Sequence, residues 1–305
     1  MQITIATRRS PLALRQAEQV AAALEAAEPG LSTALLPLST RGDELQDRAL
    51  APLGGKGLFI KALEQALDDG RAQLAAHSLK DVPTELAPGF VLAAVMARAD
   101  PRDVLVTREA GGLDALPRGA RVGTASLRRQ ALLLHARPDL DVVTLRGSVE
   151  TRLARLDAGE LDAVVLAAAG LARLGIARGE ALAPELMLPA SGQGTIALEA
   201  RAGDDETLEL AAKLEDSAAR TAATAERAFC RALGASCASP VAAYATVNGA
   251  RIHLRVRVAS ADGKTMFAAE REAAAADAAK IGVELALELL AQGAGELLGT
   301  DNEKA

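Results

Sequence analysis

The chain has 305 residues, half of them apolar and 24% charged, with a formal net charge of −6 at neutral pH. That length accommodates two or three domains with their own cores. The acidic balance and an aromatic content of 2% exclude a general nucleic-acid binder, which needs a basic face and rings for stacking.

No run of about 18 apolar residues occurs, so no membrane-spanning helix is expected. The pair Arg8-Arg9 is not followed by an apolar export region, because Arg15, Gln16, Glu18 and Gln19 interrupt it, and a cytoplasmic location is expected. Two cysteines, Cys230 and Cys237, are too few for a disulfide framework, and three scattered histidines give no metal-ligand spacing. Arginine (27) far outnumbers lysine (7), so the identity of an arginine carries little weight and its position carries the argument.

In chain order, 1–6 reads as a strand, and Ser10-Pro11 as an N-cap followed by proline at the first helical position, with Leu14, Ala17, Ala21 and Leu24 on one helical face. A second strand, 34–39, leads to Thr40-Arg41-Gly42-Asp43. The loop Gly54-Gly55-Lys56-Gly57 precedes a helix with Phe59, Ile60, Leu63 and Leu67 on one side, which Gly70 ends. This loop is not a phosphate loop, since Gly57 stands where the pattern needs Ser or Thr after the lysine. The apolar run 72–76 reads as the next strand and ends in His77-Ser78-Leu79-Lys80-Asp81-Val82-Pro83. It places a lysine and an aspartate at a strand's carboxyl end, where open α/β sheets keep their sites.

Strand 90–96 follows, and Ala99-Asp100-Pro101-Arg102-Asp103 reads as a linker before strand 104–107. From there to about Leu174 strands and helices alternate, with 162–167 a buried strand. A single device is repeated along this stretch. A strand around Val122 runs into Gly123-Thr124-Ala125-Ser126 and a helix carrying Arg128 and Arg129 in its first turn. Strand 142–145 runs into Arg146-Gly147-Ser148, with Arg152 one turn into the next helix. Helix starts capped by serine present free N–H groups and a partial positive charge, and guanidinium groups add forked donors, so each copy is an anion trap. Arg8, Arg9 and Ser10 make a third copy.

Residues 188–194 form a second glycine-rich crossing before strand 195–199. Two linkers between two α/β halves predict two doubly wound lobes with a hinge, as in periplasmic binding proteins. Lobe 1 would comprise 1–97 and 195–216, and lobe 2 residues 102–190. The stretch 207–233 reads as helical. Strands 241–247 and 250–258 around Asn248-Gly249 predict a type I′ hairpin, followed by strand 264–270 and helix 277–290. Residues 220–305 are therefore expected to be a small C-terminal α+β domain with a three-stranded antiparallel sheet.

IATRRSPLAL (5–14), TRGD (40–43), GGKGLF (54–59), AHSLKDVPTEL (76–86), GTASLRR (123–129), LRGSVETRL (145–153), ASGQGTIALE (190–199) and GASCASPVA (234–242), in this order, resemble the porphobilinogen deaminase (hydroxymethylbilane synthase) family over nearly the whole chain. The resemblance implies a transferase of tetrapyrrole (porphyrin, haem) biosynthesis. Such an enzyme condenses four porphobilinogen molecules head to tail, with release of ammonia, into hydroxymethylbilane. Growth occurs on a dipyrromethane cofactor held by a thioether, and Cys237 matches the cysteine that carries it; a monomer handing its product to uroporphyrinogen-III synthase is implied.

Because each pyrrole ring carries an acetate and a propionate, the same resemblance gives the cations a cargo. It assigns Lys80, Asp81, Thr124, Ser126, Arg128, Arg129, Arg146 and Ser148 to the cofactor, and Arg8, Ser10, Arg146, Arg152, Lys56 and Phe59 to the substrate. Arg9 stands where the family often has a neutral residue. Asp81 is implied as the catalytic carboxylate, stabilising the positive ring nitrogen left when ammonia departs. A non-catalytic carboxylate sensor on the same two-lobed fold explains the arginines equally well, but explains neither Cys237 nor the third domain.

Overall fold

The computed structural model describes residues 2–39, 60–109, 111–236 and 238–298. The sites expected at Lys56, Phe59 and Cys237, and the stretch Thr40-Arg41-Gly42-Asp43, lie outside the described residues. Among those described, no helix is long and apolar enough to cross a membrane.

The first compact unit, 1–99 with 172–176 and 194–220, is built on strands β1 (Gln2–Arg8), β2 (Ser32–Leu38), β3 (Leu74–Ser78), β4 (Phe90–Val95) and β10 (Ile196–Arg201). Their order is β2-β1-β3-β10-β4, with β10 antiparallel to both neighbours. Helix α1 (Pro11–Ala27) packs Ala17, Val20 and Leu24 on one face of the sheet. Helix α2 (Lys61–Asp68) packs Leu63, Ala66 and Leu67 against Ala6 and Ala75 on the other. Strand β3 runs two residues beyond the expected apolar run because Ile196 and Ala197 of β10 pair with Ser78 and His77. Those two polar side chains find buried partners, Ser78 with Gln16 and His77 with Glu199.

The second unit, 100–171 with 177–193 and 221–305, holds two sheets. Strands β5 (Asp103–Thr107), β6 (Arg121–Gly123), β7 (Asp141–Val143), β8 (Ala163–Ala167) and β9 (Glu180–Ala181) are ordered β7-β6-β8-β5-β9, with β5 antiparallel to β8 and β9. This repeats the order of the first sheet: in each, the reversed strand is the one that follows a crossing segment. Helices α3 (Leu127–Ala136), α4 (Val149–Asp157) and α5 (Ala168–Arg173) follow β6, β7 and β8. The two sheets are the two doubly wound α/β halves expected.

The stretch 207–233 is not one helix. It divides into α6 (Asp205–Ala212) and α7 (Ser217–Ala232) because the intervening residues cap the end of β4. Glu215 accepts from the Val95 amide at 2.7 Å, the Asp216 amide donates to the Val95 carbonyl at 2.9 Å, and the Asp216 side chain caps Ala219 at 2.7 Å.

The C-terminal sheet β11 (Val241–Asn248), β12 (Arg251–Ala259) and β13 (Met266–Ala274) is antiparallel in that order and is covered by α7 and α8 (Ala278–Ala291). Asn248 pairs with Arg251, so the hairpin loop is Gly249-Ala250. Gly249 has φ +57 and Ala250, like every other described non-glycine residue, does not have positive φ, which corresponds to a type II′ turn in place of the expected I′. Where α8 crosses α7, a Cβ on Gly282 would lie 2.4 Å from the Ala225 carbonyl oxygen and 2.9 Å from the Phe229 amide nitrogen. Backbone cannot yield as a side chain can. Gly282→Ala is accordingly expected to lower unfolding stability by about 1–3 kcal/mol, read from denaturant midpoints, while Val283→Ala on the exposed side costs little.

Candidate active site

In the first unit the expected residues gather at the carboxyl ends of two adjacent parallel strands, β1 and β3. Arg8 is the last residue of β1, half-buried, and Ser10 caps α1 by accepting the Ala13 amide at 3.3 Å. Thr7, fully buried, donates its hydroxyl to the Ala13 carbonyl at 3.1 Å and fixes the turn between them. Arg9 is exposed, with its Nε 3.4 Å from the Pro37 carbonyl.

After β3 the chain makes a single 3₁₀ turn, Leu79–Asp81. Buried Leu79 anchors it, its amide donating to the Thr195 carbonyl at 3.0 Å and its carbonyl accepting from Val82 at 3.1 Å. One residue earlier the Ser78 hydroxyl accepts from the Gln16 amide at 2.7 Å. The turn therefore leaves Lys80 half-buried and Asp81 exposed on a backbone held at both ends.

Under α2, directly behind this strand end, His77 Nε2 and Glu199 Oε2 lie 2.8 Å apart and buried, close enough for an ion pair yet not aligned as a hydrogen bond. Burial, and then the charge of Glu199, raise the carboxyl pKa of Glu64 on α2 above its usual range.

In the second unit the expected residues gather at the ends of adjacent β6 and β7. Thr124 is buried, bonded by its amide to Val143 and by its carbonyl to Leu145, and its hydroxyl accepts the Ser126 amide at 3.1 Å. Ser126 caps α3 and Ser148 caps α4, accepting the amides of Arg129 and Thr151. Arg146 is half-buried in the second of these loops, and the Nε of Arg152 bends back to the Gly147 carbonyl at 2.9 Å.

Arg128 and Arg129 are buried, at 4% and 6% exposure, and both are engaged by Asp103, at 0%. Arg128 Nη1 donates to Asp103 Oδ2 and to the Leu188 carbonyl, each at 2.7 Å. Arg129 donates to Asp103 Oδ1 through Nε (3.0 Å) and Nη2 (2.8 Å), and to the Val165 carbonyl through Nη1 (2.8 Å). Gln193 completes the cluster, its amide donating to Asp103 Oδ1 at 3.0 Å and to the Pro101 carbonyl at 2.7 Å. Two guanidinium groups against one carboxylate leave one net positive charge in the interior. The Nε–H of Arg128 is buried with no partner among the described residues. An interior with excess positive charge and an unmet donor fits a ligand bearing carboxylates.

Asp103 and Gln193 escaped sequence reasoning. The first reads as linker and the second as loop geometry, because their partners are 25 and 90 residues away.

Cys230, on α7, packs on the C-terminal core, and although the residue keeps some surface, burial of its thiol and then the nearby Glu226 push the pKa up to about 12. A thiol so protonated is a poor nucleophile at neutral pH.

The fold and these strand ends define a protein of two α/β units, each with arginines and a serine-capped helix start at its strand ends, and with an appended three-stranded antiparallel sheet. A family profile described as "Porphobilinogen deaminase, dipyromethane cofactor binding domain" matches residues 3–209, and one described as "Porphobilinogen deaminase, C-terminal domain" matches 220–291. The chain is 50% identical over 298 residues to the porphobilinogen deaminase of Syntrophotalea carbinolica, covering 97% of this chain and 95% of that one. It is 52% identical over 298 residues to that of Stenotrophomonas maltophilia, covering 97% and 98%. Among solved structures, the VFT2 domain of Bordetella pertussis BvgS superposes with a TM-score of 0.43 at 19% identity, covering 70% of this chain and 86% of that chain. The chain belongs to the porphobilinogen deaminase family, the hydroxymethylbilane synthases of tetrapyrrole biosynthesis.

The buried thiol carries its own test. In a Cys237→Ser variant, the remaining Cys230 should resist iodoacetamide at pH 8 in the native state and react on denaturation, as followed by intact mass.

Proposed function

We propose that this chain condenses four porphobilinogen molecules into hydroxymethylbilane with Asp81 as its catalytic carboxylate, and that Cys237 carries the dipyrromethane. The observation that supports Asp81 most directly is the Leu79–Asp81 turn, which buries its first residue and presents the carboxylate at the carboxyl end of β3. A carboxylate fixed there and set against a pyrrole N–H stabilises positive charge developing on the substrate's ring nitrogen as the amine leaves, and can accept a proton afterwards. Lys80, its neighbour, engages a cofactor carboxylate. Bound through Cys237, the dipyrromethane would supply the free pyrrole α-position to which the first porphobilinogen is joined, each later unit being joined to the free α-position of the ring before it.

The second unit contributes charge neutralisation. Arg128 and Arg129, with net positive charge between them and Asp103, hold cofactor carboxylates, and Thr124, Ser126, Arg146 and Ser148 add donors around the same strand ends. In the first unit Arg8 and Ser10, and in the second Arg146 and Arg152, are the residues we assign to the incoming substrate, as are Lys56 and Phe59. The unreactive thiol of Cys230 supports Cys237 as the tether. A cytoplasmic monomer that passes its product to uroporphyrinogen-III synthase completes the reading.

Two experiments test it. Asp81→Asn should fold with an unchanged circular dichroism spectrum and lose nearly all porphobilinogen consumption; substantial retained turnover would sink the role. The purified protein should carry extra mass corresponding to two linked pyrroles, absent from Cys237→Ser and retained in Cys230→Ala. An unmodified wild-type mass would favour a carboxylate sensor.

A further inference from the structure

Asp103 belongs to none of the loops assigned to substrate or cofactor, yet its carboxylate decides how two of the assigned side chains are held. It is the first residue of β5, fully buried, and receives hydrogen bonds from Arg128, Arg129 and Gln193 at 2.7–3.0 Å. Both oxygens are used, and they divide the arginines: Oδ2 takes Arg128 and Oδ1 takes the Nε and Nη2 edge of Arg129. The remaining side of Arg129 is held by the Val165 carbonyl, and Nη1 of Arg128 by Leu188, so neither guanidinium is free to rotate. Two adjacent guanidiniums with no carboxylate between them would repel strongly at this depth. Two carboxylates would leave no net charge for an anion.

We propose that Asp103 is the positioning residue of the Arg128–Arg129 pair: it cancels one of two buried positive charges and fixes both guanidiniums, so that one net charge and the unmet Nε–H of Arg128 are presented to the carboxylates of the dipyrromethane. Gln193 secures the same carboxylate from the second crossing segment and keeps Oδ1 directed at Arg129. This rests on the reading that Arg128 and Arg129 hold the cofactor.

The test follows cofactor loading, not turnover. Full-length apoprotein, produced without a porphobilinogen supply, is given porphobilinogen and its conversion to the loaded mass is timed, well below the unfolding midpoint of each variant. Asp103→Asn keeps the shape and removes the charge; it should load at least about tenfold more slowly than wild type, the scale of losing one partner of a buried ion pair. Asp103→Glu keeps the charge one methylene out of place and should fall between the two. A purely structural aspartate would lower the midpoint of both variants and leave the loading rate untouched, so wild-type loading by either folded variant overturns the proposal; if Asp103→Asn does not fold, Asp103→Glu decides. Arg128→Leu and Arg129→Leu separate the two levels. Slow loading in these beside normal loading in the Asp103 variants overturns Asp103 alone. Normal loading in both arginine variants overturns the reading beneath it, and with slow Asp103 variants it also shows that the carboxylate does not act through the arginines.

Discussion

A carboxylate taken fully out of water costs several kcal/mol unless positive charge and hydrogen bonds offset the loss, and around Asp103 both are supplied by groups that the site needs elsewhere. The first turn of α3, the start of β5, the middle of β8 and the segment at Leu188 all meet on this one side chain or its partners. The constraint is reciprocal. Arginines at a helix start would ordinarily extend into solvent and contribute little, whereas here they are committed, oriented and short by one negative charge.

The first unit reaches a comparable rigidity by neutral means. Its Leu79–Asp81 turn hangs on a buried leucine, a backbone bond from Leu79 to Thr195 and the Gln16–Ser78 contact between α1 and β3. Both sheets use one topology, in which the strand entering from a crossing segment runs against the rest. That reversal brings β10 beside β3 and β5 beside β8, and it is these reversed neighbours that supply Thr195 and Asp103 to the loops at the strand ends. The crossing segments thus stabilise the loops at the strand ends as well as joining the halves.

Within the second unit, the C-terminal domain is tied to the rest by buried groups of its own. Glu226, fully buried on α7, accepts the amides of Gly192 at 2.7 Å and Ala245 at 2.8 Å, linking the crossing segment to β11. Gly263, in the turn between β12 and β13, rests against the backbone of α3, and its carbonyl lies 3.0 Å from His135 Nδ1. The arginines at one end of α3 and the C-terminal hairpin at its other end therefore share one rigid helix.

The sequence by itself determined what depends on neighbours in the chain. The alternating pattern of β12, the serine caps of α1, α3 and α4, the hairpin at Gly249 and the placement of Lys80 and Asp81 at a strand end all follow from periodicities and local bonding that a few adjacent residues settle. Tertiary structure decided where residues far apart in the chain compete for the same groups. Helix 207–233 broke because β4 needed caps from Glu215 and Asp216, and β3 lengthened because β10 offered partners. Asp103 changed from linker to centre of the site because Arg128, Arg129 and Gln193 close on it. A single sequence shows which charges exist; which of them are removed from water together is fixed only when the chain closes, because desolvation depends on everything packed around them.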